Sequence, residues 1–278
     1  MIGAHPIGIM QGRLIQPKGR GIQFFPFEEW EEEFRVASQL GLDEVDFIFD
    51  FDRYQENPMW TKAGITKVQE VIQNSGVKVR YICADFFMRR PFFRVSEEDR
   101  KENIDTLKML LESAKQIGAE NIEIPLVDNS SMKTAEEKEL FIKSLEECLP
   151  RAKELNLTIS LETDLPHKGL LGLVEQCGIK ITYDSGNSSS LGYDPYEEIS
   201  TYGKYLANVH VKDRVLGGNT VPLGTGNADF DKLFRGLKET GYKGSFILQA
   251  ARGEEGRERE TIQSYRDFVK AYIDKYLT

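Results

Sequence analysis

The chain has 278 residues, 40% apolar and 10% aromatic, with 36 Lys and Arg against 45 Asp and Glu for a formal charge of -9. At this size folding removes roughly three quarters of the unfolded surface from water, so a large core forms without disulfide staples. The charge has the wrong sign for wrapping a phosphate backbone, which excludes nucleic acid as a default partner.

Cys83, Cys148 and Cys177 are odd in number and form no CxxC pair, which reads as reduced thiols. The opening MIGAHPIGIMQGRL carries no basic-then-apolar leader, and no stretch approaches about 18 consecutive apolar residues. A cytoplasmic protein with no membrane partner is expected; a homo-oligomer is compatible with everything the chain shows.

Short apolar runs recur, each followed by a longer segment with helical spacing, so the chain reads as repeated βα units. In chain order the runs are Ile7–Met10, Glu44–Ile48, Lys78–Cys83, Asn121–Pro125, Thr158–Glu162, Lys180–Asp184, Ala207–Lys212 and Ser245–Gln249. Between them, segments such as Phe27–Leu40, Glu97–Gly118 and Thr134–Leu155 alternate charged and apolar residues at a period near 3.6, as amphipathic helices do. Asp194 before Pro195, and Asp229 before a segment ending at Gly241, are helix-start and helix-stop signals. Eight units with no Pro-, Gly- or Ser-rich linker predict one α/β domain over residues 1–278, a closed (β/α)8 TIM barrel.

Catalytic groups of a barrel stand at the C-terminal ends of its strands. Here the fifth run ends on Glu162, the sixth on Asp184 with Asn187 beyond it, the seventh carries His210, Lys212 and Asp213, and the eighth Gln249 and Arg252. Glu162, Asp184 and His210 form an oxygen, oxygen, nitrogen set suited to one divalent metal, Mn²⁺, Zn²⁺, Co²⁺ or Mg²⁺, and neighbouring strands would aim all three at one point. Gln11, Arg13, Asn187, Lys212, Asp213, Arg214 and Arg252 are the candidate contacts for a hydroxylated substrate, with or without a phosphate. Gly224–Gly226 reads equally as a phosphate-cradling loop or a tight turn. Phe47, Phe49, Trp60, Phe86 and Phe87 read as core or lid packing. His167 lies in a loop with no strand to aim it.

The GIMQGRL opening, Glu162, the YDSGN around Asp184, the HVKD from His210 and the later PLGTGNADFDKLF together resemble the xylose isomerase-like barrel superfamily, in its sugar-phosphate isomerase and epimerase branch. The nearest pattern is that of ketose and ketose-phosphate 3-epimerases. The resemblance implies a divalent metal held by a Glu, an Asp, a His and a second Glu, which map to Glu162, Asp184, His210 and position 249. The intervals of 22, 26 and 39 residues between them suit one βα unit each. It also implies that the two glutamates shuttle protons on opposite faces of the substrate. This chain has Gln249 at the fourth position; an amide can offer its carbonyl oxygen to a metal but cannot be a general base.

The reading that follows is a metal-dependent isomerase or epimerase of a small sugar or sugar phosphate working through an enediolate, with Glu162 as its base. A keto-sugar or keto-inositol dehydratase-like lyase and a catalytically altered sugar-binding barrel are the alternatives. With Gln249 in place, a poor two-base epimerase is expected, unless Lys212 or Asp213 supplies the second proton. The apurinic endonuclease branch of the same fold implies a histidine-rich zinc cluster, whereas here the third and fourth strand ends carry Asp85 and Asp128 and the chain has three histidines.

Overall fold

The computed structural model describes residues 5–278. Eight parallel strands close into a barrel: β1 (Ile7–Met10), β2 (Glu44–Ile48), β3 (Tyr81–Cys83), β4 (Asn121–Leu126), β5 (Thr158–Thr163), β6 (Lys180–Asp184), β7 (Leu206–Val211) and β8 (Ser245–Leu248). Each strand lies beside its chain neighbours and β8 pairs with β1, so the sheet has no edge. The eight expected runs are these strands to within a few residues. The third is trimmed to its last three, its Lys78 keeping only a single bridge to Glu44.

Strand side chains alternate, and here the alternation separates two chemistries. Val45, Phe47, Ile122, Ile124, Ile159, Leu161, Val209, Val211, Phe246 and Leu248 are buried and apolar, on the face toward the helices. Phe234 of the helix Phe230–Glu239 stacks on Phe246 at 5.0 Å between ring centres. The opposite parity is largely polar: Glu44, Asp46, Asn121, Glu123, Ser160, Glu162, Thr182, Asp184, Asn208, His210 and Ser245 are all buried. Toward the N-terminal end Ser160 links Asn121 and Thr182, with 2.7 Å on each side, so three strands are joined across the interior. Gly8 belongs to the same parity, and a Cβ there would come 2.7 Å from Ile247 Cδ1, so the barrel closes around its missing side chain.

One irregularity sets the register of the functional end. Between Ile181 and Thr182 the pairing of β6 with β7 shifts by one residue, from Ile181 opposite Leu206 to Thr182 opposite Asn208. Without that bulge Asp184 would stand level with Val209; with it, Asp184 stands level with His210.

The helices begin where the sequence signals them. Asp194 accepts from the N–H groups of Tyr196 and Glu197, Asp229 accepts from Lys232, and Thr134 with Glu137 forms a reciprocal capping box. The expected single helix over Thr134–Leu155 is two, Ala135–Glu146 and Leu149–Glu154. Pro150 has no N–H to return to Glu146, and its ring would clash with that carbonyl, so the chain breaks around Cys148.

After β7 the chain forms a small ribbon in which Asp213 and Arg214 pair with Val221 and Thr220. Asp213 is fully buried and its carboxylate accepts from the backbone N–H groups of Gly224, Gly226 and Ala228 at 2.9–3.0 Å. The glycine pair is thus a turn wrapped on a carboxylate, which resolves the two readings of Gly224–Gly226. Replacing Asp213 with Ala strands those donors, at a cost of about 1–3 kcal/mol for each that stays buried and unpaired. Asp213→Ala should therefore lower the melting temperature by about 2–6 °C for each donor left buried and unpaired, at about 2 °C per kcal/mol for a chain this long; a melting point equal to the native one would show that the loop holds itself.

Candidate active site and metal centre

His210 is fully buried, and its contacts cross the barrel. Nε2 lies 3.2 Å from Asp46 Oδ2 on β2 and 3.1 Å from Glu123 Oε2 on β4, while Nδ1 faces Glu162 Oε2 at 3.5 Å. Two carboxylates at Nε2 demand a donor there, which keeps a proton on Nε2 and turns Nδ1 toward the strand ends. Among the described residues Nδ1 has no hydrogen-bond partner, an orphaned polar atom at full burial. Burial alone pushes the imidazole pKa down; Glu123, Asp46 and Glu162 outweigh that and raise it well above its ordinary value. Burial, then the neighbouring Glu123, lifts Asp46 to about 8.

The ligand atoms of Glu162, Asp184 and His210 lie within 4.8 Å of one another. The bulge in β6 and the register of β7 thus gather the three residues named from strand position. The orphaned Nδ1, flanked by two carboxylates, suits a divalent cation, with Asp46 and Glu123 holding the far nitrogen as carboxylates commonly do behind a metal-bound histidine. Asp46, Glu123 and His210 form a second acidic group of the same kind deeper in the barrel.

Asn187, at the start of the helix Ser185–Leu191, donates from Nδ2 to Glu162 Oε1 at 2.6 Å, and its backbone N–H donates to Asp184 Oδ1 at 2.8 Å. One residue thereby orients two carboxylates, Glu162 through its side chain and Asp184 through its backbone. Lys212 Nζ stands 3.2 Å from Asp184 Oδ2 and 3.5 Å from Gln249 Oε1. Gln249 is almost fully buried and donates from Nε2 to Gln23 Oε1 at 2.9 Å; Gln23 in turn donates to Asp85 Oδ2 at 2.7 Å.

These groups border a cavity of about 360 Å³ at the C-terminal mouth, lined by Gln23, Glu162, Asn187, Lys212 and Gln249, with Asp50, Asp52, Asp85, Asp128 and Arg89 around them. The volume suits a small polar ligand. The other substrate candidates are spent on backbone. Gln11 Oε1 accepts from Ile48 N–H; Arg13, buried, donates to the carbonyls of Ala250 and Ile22 and to Gln23 Oε1; Arg252 holds the carbonyls of Gly12, Ile15 and Ile22. Arg214 bonds Asn187 Oδ1 and the Gly218 carbonyl, and Asp213 serves its turn. Of the seven expected substrate contacts, Asn187 and Lys212 line the cavity; Gln11, Arg13, Asp213, Arg214 and Arg252 do not. Their partners lie far off in sequence, 237 residues in the case of Arg13 and Ala250, beyond the reach of any local pattern.

The aromatic residues form packing beneath the rim. Phe49 stacks on Trp60 at 6.2 Å and touches Phe86 at 5.7 Å, and Phe87 stacks on Phe92 at 4.7 Å. His167 begins a helix, His167–Cys177, and does not line the cavity. The strand positions had flagged Asp85 without a role; Gln23, Asp46 and Glu123 went unflagged, since an acid inside a strand or an amide in a loop carries no local signal.

A model of the xylose isomerase-like TIM barrel family matches residues 34–272. The L-ribulose-5-phosphate 3-epimerase UlaE of Salmonella paratyphi A is 25% identical over 281 residues, covering 97% of this chain and 95% of that protein. Among solved structures, an L-ribulose 3-epimerase superposes with a TM-score of 0.77 at 16% identity, covering 98% of this chain and 95% of the other. The IOLI protein with a bound zinc atom superposes with a TM-score of 0.74 at 18% identity, covering 98% and 99%. Among the described residues no helix is long and apolar enough to cross a membrane.

Proposed function

The chain belongs to the xylose isomerase-like TIM barrel family, and from that premise we propose that it is a metal-dependent isomerase or epimerase of a small sugar, acting through an enediolate. The observation that carries this is the convergence of Glu162, Asp184 and the orphaned Nδ1 of His210 beside a cavity of sugar size. Similarity to 3-epimerases over nearly the whole chain supports this reading over a lyase or a non-catalytic barrel.

Glu162, Asp184 and His210, with the carbonyl oxygen of Gln249 as a fourth candidate, are the residues that would hold one Mn²⁺, Zn²⁺, Co²⁺ or Mg²⁺. Such an ion, when bound, polarises a carbonyl and its neighbouring hydroxyl. Glu162 removes the carbon-bound proton next to the carbonyl, its carboxylate kept in place by Asn187. Lys212 and Asn187 offer donors to the substrate hydroxyls at the same wall.

The cavity suits the free sugar better than its phosphate. Asp50, Asp52, Asp85, Asp128 and Glu162 outnumber Arg89 and Lys212 on its lining. The arginines that would grip a phosphate in two-pronged fashion, Arg13, Arg214 and Arg252, are bonded to protein carbonyls instead, and the glycine turn already holds Asp213.

Two outcomes test the reading. Metal at about 100 times its dissociation constant should stabilise a chelator-treated sample by roughly 2.7 kcal/mol, a rise of about 5 °C in melting temperature at roughly 2 °C per kcal/mol. If all four ions leave the melting point where it was, the single-metal reading is wrong. In deuterium oxide, free ketoses should exchange the proton next to the carbonyl faster than their phosphates, and Glu162→Gln should abolish that exchange. Undiminished exchange in Glu162→Gln would remove Glu162 as the base.

A further inference from the structure

We propose that Asp85 is the second proton carrier of this site, taking the place of the carboxylate that position 249 lacks. The inference rests on the isomerase–epimerase reading and adds a residue to it. Four observations lead there.

First, Asp85 lines the same cavity as Glu162. It follows β3, two strands from the β5 that carries Glu162 and four from β7, so the two carboxyls stand on different strands at the same mouth. Second, it is a carboxyl that the fold does not use. It is 9% exposed, its hydrogen-bond partners are the neutral Gln23 amide at 2.7 Å and the Cys83 thiol at 3.4 Å, and among the described residues it makes no ion pair. A buried carboxylate without a cation is costly, and a cost of this kind that contributes no structure is the mark of a working group.

Third, its position is rigid. Ala84 N–H donates to the Glu123 carbonyl and Phe86 N–H to the Phe49 carbonyl, each at 2.9 Å, so the residues on either side of Asp85 are fastened to the middle of β4 and to the residue after β2, over the aromatic packing. Fourth, the amides form a directed chain. Gln249 donates to Gln23, and Gln23 donates to Asp85. A glutamate at 249 would set its carboxylate against the Gln23 carbonyl oxygen and force Gln23 to turn its oxygen on Asp85. Gln249, Gln23 and Asp85 are therefore matched as a set.

Burial raises the Asp85 carboxyl to about 7, with the Gln23 hydrogen bond opposing and the nearby Asp50 adding to the rise. The other charged or titratable groups facing it are Glu162 from β5, the Cys83 thiol from β3 and the Arg13 guanidinium from beyond β1. Such a group exists in both protonation states near neutrality, as a donor and acceptor must.

In the step assigned to it, Glu162 takes the proton from the carbon beside the carbonyl. The C–H electron pair becomes the carbon–carbon double bond of the enediolate, and the carbonyl pair moves onto oxygen. Asp85, protonated, then delivers its proton to that carbon from the β3 wall, on the face away from Glu162, as inversion requires, the double-bond pair forming the new C–H bond as the carbonyl returns. The product is the epimer, Asp85 is left as carboxylate and Glu162 as acid, and exchange with water resets both. Lys212 is a poorer candidate, because its ammonium is already held by Asp184 on the β6 side.

The test is Asp85→Asn, which keeps an acceptor for Gln23, assayed on free ketoses with the divalent metal in deuterium oxide beside the native protein. The native protein should invert the carbon. Asp85→Asn should melt at the native temperature, still introduce deuterium through Glu162, and lose inversion by 10²- to 10⁴-fold in kcat with little change in KM. Adding Gln249→Glu should recover part of the inversion. A ¹³C-carboxyl titration of the native protein should place Asp85 near 7. Inversion by Asp85→Asn within about threefold of native, or an Asp85 carboxyl titrating at the ordinary aspartate value near 4, overturns the assignment of Asp85 alone. A native protein that neither exchanges nor inverts any ketose overturns the reading beneath it as well.

Discussion

The interior of this barrel is ringed by side chains that have no route to solvent, and most of them are polar. Glu44, Asp46, Glu123, Asn208 and His210 are fully buried, so each must find its partner across the lumen. His210 is where these demands meet. Its ring spans from Asp46 and Glu123 on one side to Glu162 on the other, tying β2, β4, β5 and β7 through one imidazole. The same contacts that satisfy the core keep a proton on Nε2 and fix the direction of Nδ1. Packing and chemistry at the strand ends are therefore one arrangement, and the bulge in β6 that brings Asp184 level with His210 completes it.

Around that centre the rim is built from residues braced on backbone. Arg13 and Arg252 tie the loop after β1 to the loop after β8, and in doing so Arg13 reaches Gln23, the amide that stands between Gln249 and Asp85. The aromatic packing beneath the β2 and β3 loops holds Asp50 and Asp85 at the opposite wall. The cavity is thus bounded by the acidic group of β5, β6 and β7 on one side and an acidic rim on the other.

Much of this was legible in the sequence because strand ends carry a local signature. The alternation of Val209, His210 and Val211, and the polar residue closing each of three consecutive runs, was enough to place Glu162, Asp184 and His210 together. The periodicity also set the barrel, overrunning at the third run, which shortens to Tyr81–Cys83, and where Pro150 divides a helix whose apolar spacing runs on without a break. What stayed hidden depends on partners distant in the chain. An arginine beside a strand end looks the same whether it faces a phosphate or a carbonyl more than 200 residues away, as Arg13 and Arg252 do. Asp46 and Glu123 read as ordinary strand positions until the ring closes and sets them on the far nitrogen of His210. Gln249 was visible as a departure from the family pattern, but its compensation through Gln23 lies in a loop that no periodicity describes.

The most direct measurement is anomalous diffraction from crystals grown with Mn²⁺. The account predicts a single peak within coordination distance of carboxylate oxygens from Glu162 and Asp184 and of His210 Nδ1, with His210 Nε2 still turned to Asp46 and Glu123. A peak placed instead among Asp50, Asp52 and Asp128 at the rim, or no peak at a saturating Mn²⁺ concentration, would contradict it.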